Sequence, residues 1–262
     1  MQECIHMRSF IGWVGGKSCL AGKIVKLFPA HKTYVEVFGG AGWVLFKKDP
    51  KISRAEFYND INGDLVNLFR VVKHRPSELI ERLNLVLYSR ETYREFYNQE
   101  LSAESDEVER AARFYYLVRL AFGSSPERGW GYGKTRRAKT IGNLELLNRI
   151  SDRLNTVYID NRSYEKIIPG LDSKDTLFYL DPPYWIEGEK FYQHNFSLQD
   201  TEQLRAFLDK IKGKFILSYN DNPNVRYLYR GFKIQSTSPI HYSMNNKRKT
   251  VRRRSEIIIS NF

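Results

Sequence analysis

The residues best suited to chemistry stand at the end of an apolar run. Leu177-Phe178-Tyr179-Leu180 is followed directly by Asp181-Pro182-Pro183-Tyr184. Two prolines cannot continue a hydrogen-bonded ladder, so the chain must leave the strand there in a fixed shape. The Asp181 carboxylate and the Pro182 carbonyl are both acceptors, and an exocyclic NH2 group offers two donors. Accepting both protons draws the amine out of conjugation with its ring and aims its lone pair at a methyl donor. Tyr184 adds a flat face on which an extruded base stacks. The plainer role of such a stretch is a rigid turn with a helix-capping Asp.

A second site precedes it. Val35-Glu36-Val37-Phe38-Gly39-Gly40-Ala41-Gly42 reads as a buried strand running into a glycine-rich turn that opens a helix. Glycine lets a nucleotide-like ligand approach the backbone closely. No Gly-Lys-Ser/Thr follows, which excludes a phosphate-binding loop. Asp60 stands at the end of the next predicted strand, where a carboxylate accepts hydrogen bonds from ribose hydroxyls. This pattern alone fits a dinucleotide or S-adenosylmethionine, and the Asp-Pro-Pro-Tyr stretch favours the methyl donor. A third feature is Ile11-Gly12-Trp13-Val14-Gly15-Gly16-Lys17. A cation is disfavoured near a helix N-terminus, so Lys17 is expected to face a ligand carboxylate, such as that of the methionine half.

Elements must position these residues. Strands are predicted at 34–38, 55–58, 156–159, 176–180, 214–219, 232–235 and 256–260. Helices are predicted at 16–27, 63–73, 76–86, 106–120, 142–154 and 198–211. Their alternation predicts a doubly wound, mostly parallel α/β sheet. The last two strands have only a loop between them and are expected to form a hairpin, with one strand antiparallel at the edge. The mostly helical stretch 76–154 is long for a crossover. It reads as an insert in a catalytic domain formed by 1–75 and 155–262.

The 262 residues, 42% of them hydrophobic, suffice for one α/β domain with an insert. No apolar run approaches a membrane span, no secretory signal is visible, and Cys4 and Cys19 lack metal-ligand spacing. A cytoplasmic, metal-free protein is expected. The net charge of +12 points to a polyanionic partner. Arg128, Lys134, Arg136, Arg137 and Lys139 interleave with Trp130 and Tyr132. Lys247, Arg248, Lys249, Arg252, Arg253 and Arg254 form a second cluster. Cations beside aromatics suit nucleic acid better than membrane. His194-Asn195-Phe196-Ser197 is either a loop closing over a base, walled by Phe196 or Tyr192, or a plain helix cap. His241 reads as structural or near phosphate.

Taken in order, Trp13–Lys17, 34–42, Asn59-Asp60-Ile61-Asn62, the helical insert, Asp181–Tyr184 and Leu217-Ser218-Tyr219-Asn220-Asp221 resemble the Dam-like, alpha-group N6-adenine DNA methyltransferases. The resemblance covers nearly the whole chain. It implies a Rossmann-like class I methyltransferase sheet, S-adenosylmethionine as cofactor and double-stranded DNA as partner. It further implies a bacterial or phage source and action as a monomer or weak dimer. Trp13 and Lys17 match positions at the methionine moiety, Phe38, Gly39 and Gly40 the cofactor loop, and Asp60 the ribose-binding acid. Asp160 and Asn161 match the loop beside the cofactor adenine. Asp181 through Tyr184 match the catalytic motif, with Asp181 also beside the cofactor. The stretch 128–139 falls where the family places its recognition hairpin. The expected DNA contacts are Arg128, Trp130, Tyr132, Lys134, Arg136, Arg137, Lys139, Asn195, Lys247 and Arg248. The cofactor turn departs from the family as Phe-Gly-Gly-Ala-Gly. Cytosine N4, RNA adenine and a catalytically silent DNA-binding module remain the alternatives.

Most protein–DNA hydrogen bonds go to the backbone, so most cations of the insert are expected to meet phosphates. Single alanine substitutions at Arg128, Lys134, Arg136, Arg137 and Lys139 should therefore form two sets. Most should weaken binding to all sequences alike and flatten its salt dependence. One or two, Arg136 or Arg137 first, should relax sequence choice by about 1–3 kcal/mol. The measurement is the methylation rate on the best site and on sites with one base changed. If no variant alters that ratio, the insert is not the specificity element.

Overall fold

Short runs rich in β-branched and aromatic residues form β1 (Thr33–Glu36), β2 (Ala55–Asn59), β3 (Val157–Asp160), β4 (Thr176–Leu180), β5 (Lys214–Asn220), β6 (Lys233–Ser236) and β7 (Glu256–Ser260). The computed structural model describes residues 7–99, 105–131, 141–184, 196–237 and 255–262. The strands make one sheet in the order β3-β2-β1-β4-β5-β7-β6. β1 to β5 are mutually parallel, and β7 runs antiparallel to both β5 and β6. β4 is buried at every residue, as a central strand covered on both faces must be.

The expected α/β class and mostly parallel sheet are observed, with one correction. The antiparallel strand is not at the edge. β7 lies between β5 and β6, and β6 is the edge strand. Burial explains the order. Glu256–Ser260 carries three isoleucines and is buried throughout, so it needs partners on both sides. Lys233–Ser236 is largely exposed, and charged or polar residues suit an edge.

The helices are α1 (Ala21–Val25), α2 (Trp43–Lys47), α3 (Gly63–His74), α4 (Pro76–Asn84), α5 (Arg90–Asn98), α6 (Glu107–Leu120), α7 (Leu146–Leu154), α8 (Tyr164–Leu171), α9 (Leu198–Leu208) and α10 (Pro223–Leu228). The helix predicted at 16–27 is shorter than expected. Gly15 has a φ of +77°, and a Cβ at Gly16 would lie 2.8 Å from the Trp43 indole nitrogen. The chain therefore turns through Lys17 before helix begins. Helices α2, α5, α8 and α10 add to those the pattern predicts. α5 buries only Tyr93 and owes its start to Ser89, whose side chain accepts from the Thr92 amide. No helix among the described residues is long and apolar enough to cross a membrane.

Residues alternate across the sheet with the period of two that strands impose. Leu177 and Tyr179 face a core shared with α3, α6 and α7, while Phe178 and Leu180 face a second core with α8 and α9. Helices from the stretch 76–154 thus pack against the same side of the sheet as α3. A buried ion cluster fastens α7 there. Glu56 of β2 accepts from Lys48 at 2.8 Å and from both terminal nitrogens of Arg153 at 2.7 and 2.8 Å. All three side chains are buried.

Removing one member of a buried cluster leaves its partners' charge uncompensated. Glu56→Gln should therefore destabilise the fold by about 3–5 kcal/mol. Urea unfolding followed by far-UV circular dichroism reads this directly. An unchanged midpoint would show that Lys48 and Arg153 find other partners.

Candidate active site

The carboxyl ends of the parallel strands meet along one edge, because β1, β2 and β4 run in register. Each strand delivers one acidic residue to that edge: Glu36 ends β1, Asp60 follows β2 and Asp181 follows β4. A cleft of about 280 Å³ opens over them. Trp13, Lys17, Phe38, Gly39, Gly40, Asp60, Asp181, Pro182 and Pro183 all line it. This gathers residues from four separate stretches of the sequence.

The glycine turn is held closely. A Cβ at Gly39 would fall 2.3 Å from the Tyr58 ring, and Gly40 has a φ of +50°. Glycine meets the crowding at the first position and the left-handed dihedral at the second. Asp60 fixes the turn, accepting from the Gly40 amide at 2.8 Å through one oxygen and from the Asn62 amide at 2.9 Å through the other. Tyr58 donates to the Gly40 carbonyl at 2.6 Å. The Phe38 ring packs against Tyr164 and Phe196, both centred 5.9 Å away.

Asp181 is gripped from several sides. The Lys17 ammonium lies 2.8 Å from its Oδ1. Ser218 of β5 donates to the same oxygen at 2.9 Å, and the Tyr184 hydroxyl reaches it at 3.5 Å. Oδ2 takes none of these three contacts. Ser218 is itself hydrogen-bonded to the buried Tyr179 hydroxyl at 2.9 Å. Burial raises the Asp181 carboxyl above its ordinary value, opposed by Lys17 and by the hydroxyl donors. The Tyr184 ring sits 4.8 Å from the Lys17 nitrogen and 5.0 Å from the Tyr219 ring.

Other expected site residues lie nearby or elsewhere. Lys17 does not sit in the first turn of a helix; its ammonium meets the protein's own carboxylate. Asp160 ends β3 and Asn161 donates to the Asp60 carbonyl at 2.8 Å, but Arg162 to Glu165 line the cleft beyond them. Phe196 lines the cleft, and Ser197 caps α9 in a reciprocal pair with Asp200. Arg128 is exposed, and Trp130 rests edge-on against Tyr93 at 5.5 Å. A second cavity there is lined by Arg90, Arg94, Tyr97 and Trp130. Tyr132, Lys134, Arg136, Arg137, Lys139, Tyr192, His194, Asn195, His241, Lys247, Arg248, Lys249, Arg252, Arg253 and Arg254 lie outside the described residues. Glu36 and Ser218 lie in stretches singled out from the sequence but receive no role there, and Glu256 lies in none of the motifs. A buried strand carrying one acidic residue at its end was the available signal for the first.

The residues of the cleft fit a cationic nucleoside ligand. Aromatic rings can cover a flat base, carboxylates face a positive charge, and the glycine turn admits close approach to the backbone.

Comparison with known proteins agrees with this geometry. The family model for the D12 class N6 adenine-specific DNA methyltransferases matches residues 13–240. The chain is 31% identical to the Type II methyltransferase M1.LlaDCHI of Lactococcus lactis subsp. cremoris, covering 98% of this chain and 96% of that relative. It is 28% identical to the Type II methyltransferase M.MjaIII of Methanocaldococcus jannaschii, over 88% and 91% of the two chains. Against the DNA adenine methylase of Vibrio cholerae the identity is 24%, over 87% and 86%.

Glu36 makes the edge sensitive to pH. Its Oε2 accepts from the Tyr34 hydroxyl at 2.9 Å and from the Leu45 amide at 2.8 Å. Burial nevertheless pushes its carboxyl up to about 8. The folded state therefore holds this proton far above the unfolded value of about 4.3. The resulting stability is full below the unfolded value and is lost as pH rises through about 8. Glu36→Gln cannot ionise. Its melting temperature, relative to the parent chain, should climb as pH is raised from about 5 to about 9. A difference that stays flat over that range would mean Glu36 ionises freely in the fold.

Proposed function

Because the chain belongs to the D12 class N6 adenine-specific DNA methyltransferases, we propose that Asp181 and the Pro182 carbonyl accept the two protons of the adenine N6 amine while Tyr184 stacks on the flipped base. Family membership implies S-adenosylmethionine as the methyl donor and DNA as the substrate. When bound, that cofactor supplies an activated methyl group. Trp13, Phe38, Gly39, Gly40 and Asp60 would hold it, Asp60 toward ribose hydroxyls and the aromatic rings toward its apolar faces.

The observation that carries the reading is the convergence on Asp181. Lys17, Ser218 and Tyr184 all meet Oδ1, so the carboxylate is oriented with Oδ2 outside these three contacts, the oxygen assigned here to the incoming amine donor. Such pre-orientation removes an entropic part of the barrier. An N6 amine buried in a base pair cannot reach this edge, so the adenine leaves the helix first. Held there by Asp181 and the Pro182 carbonyl, its nitrogen would face the methyl group that a donor bound in the cleft would supply. The nitrogen then sheds one proton to Asp181 or to water. Ser218, backed by Tyr179, keeps the carboxylate from turning as charge moves. The stretch 76–154, with Arg128 and Trp130, reads the target sequence, and the basic residues beyond it hold phosphates.

Asp181→Ala should abolish transfer while leaving cofactor affinity within a few-fold, since Asp181 faces the amine. Transfer is measured with labelled cofactor on mixed-sequence duplex DNA, followed by mapping of the modified base, and affinity by calorimetry. Near-normal turnover in the variant would remove Asp181 from the role given it here.

A further inference from the structure

Lys17 is the meeting point of two carboxylates rather than one. Its ammonium lies 2.8 Å from Asp181 and 3.7 Å from Oε1 of Glu256, and it donates to the Gly15 carbonyl at 3.0 Å. The side chains of Lys17 and Glu256 are 3% and 2% exposed, so solvent does little to screen either. Glu256 reaches this place through topology. β7 runs against the parallel strands, so its first residue lies level with their carboxyl ends, opposite Asn220 of β5.

We infer that Glu256 is a positioning residue for methyl transfer, holding the Lys17 ammonium between two carboxylates so that Asp181 meets the target amine with its negative charge only partly offset. This rests on the reading of Asp181 as the acceptor of that amine. With Glu256 neutral, Lys17 and Asp181 cancel, and the edge offers the amine a dipole. With Glu256 ionised, the cluster is one negative charge in excess. A nitrogen gaining a fourth bond becomes positive, so the anionic cluster stabilises it as the bond forms.

Among the described residues, the titratable and charged groups facing Glu256 are Lys17, Asp181, Tyr184 and Tyr179. Burial outweighs the pull of Lys17 and pushes the Glu256 carboxyl up to about 7. Glu256 is thus neutral below that pH and ionised above it, and transfer should rise as pH increases through it.

The test compares the full chain with Glu256→Gln and Glu256→Asp, using labelled S-adenosylmethionine and mixed-sequence duplex DNA. The parent chain should show an ascending limb in kcat near neutral pH. Glu256→Gln should lack it and run about tenfold slower above it, with KM for DNA and cofactor affinity within a few-fold. Glu256→Asp should keep the limb at a displaced midpoint. Carbon NMR of glutamate-labelled chain without cofactor gives a second readout. One carboxyl titrating near neutral pH should vanish in Glu256→Gln. A parent chain with no limb, a limb retained in Glu256→Gln, or an undisplaced limb in Glu256→Asp overturns the inference. If Glu256→Gln fails to fold, the parent and Glu256→Asp profiles decide alone. A parent chain that forms no N6-methyladenine at any pH overturns the reading of the site instead.

Discussion

The parallel register of β1, β2 and β4 is the constraint on which the rest depends. Thr33 to Glu36 pair with 55–58 on one side and 176–179 on the other, so three chain reversals occur at one level. A right-handed crossover sheet brings ligand-binding loops to its carboxyl edge. Glu36, the glycine turn, Asp60 and Asp181 are neighbours for that reason and not because of sequence proximity. A shift of one residue in any of these pairings would turn Glu36 or the strand before Asp181 to the opposite face.

The second theme is charge held out of water. Glu56 has two cations for one carboxylate and shares hydrogen bonds with both. That cluster carries an excess of one positive charge and serves to join sheet, α2 and α7. At the opposite end of the strands the ratio is reversed. Asp181 and Glu256 share the ammonium of Lys17, and Asp181 lies near enough to Glu36 to raise that carboxyl further. A fold gains little from such an arrangement, since burying unbalanced charge is costly. Displaced ionisation of this kind concentrates where chemistry is done.

Much of the site was legible in the sequence. Asp181-Pro182-Pro183-Tyr184 announces itself because proline forbids continuation of a strand, and the turn after Phe38 because three of its residues are glycine. Binary patterning located every strand to within a residue or two. The helical setting expected for Lys17 is not observed, and its ammonium meets a carboxylate 164 positions away along the chain. Glu256 was invisible because nothing local distinguishes it from the solvent-facing acid that often opens a strand.

Local rules therefore determined the α/β class, the alternation of elements and the identity of the two motif loops. These follow from side-chain period and from backbone dihedrals, which are properties of a few consecutive residues. Strand order, the place of β7 between β5 and β6, and the meeting of Lys17, Asp181 and Glu256 were decided by the tertiary structure. They follow from which apolar faces can be covered together: the isoleucine-rich β7 is buried throughout and must be flanked, while β6 can bear water. Covering β7 on both sides carries Glu256 to the edge where the parallel strands end, a consequence of packing that no short stretch of sequence encodes.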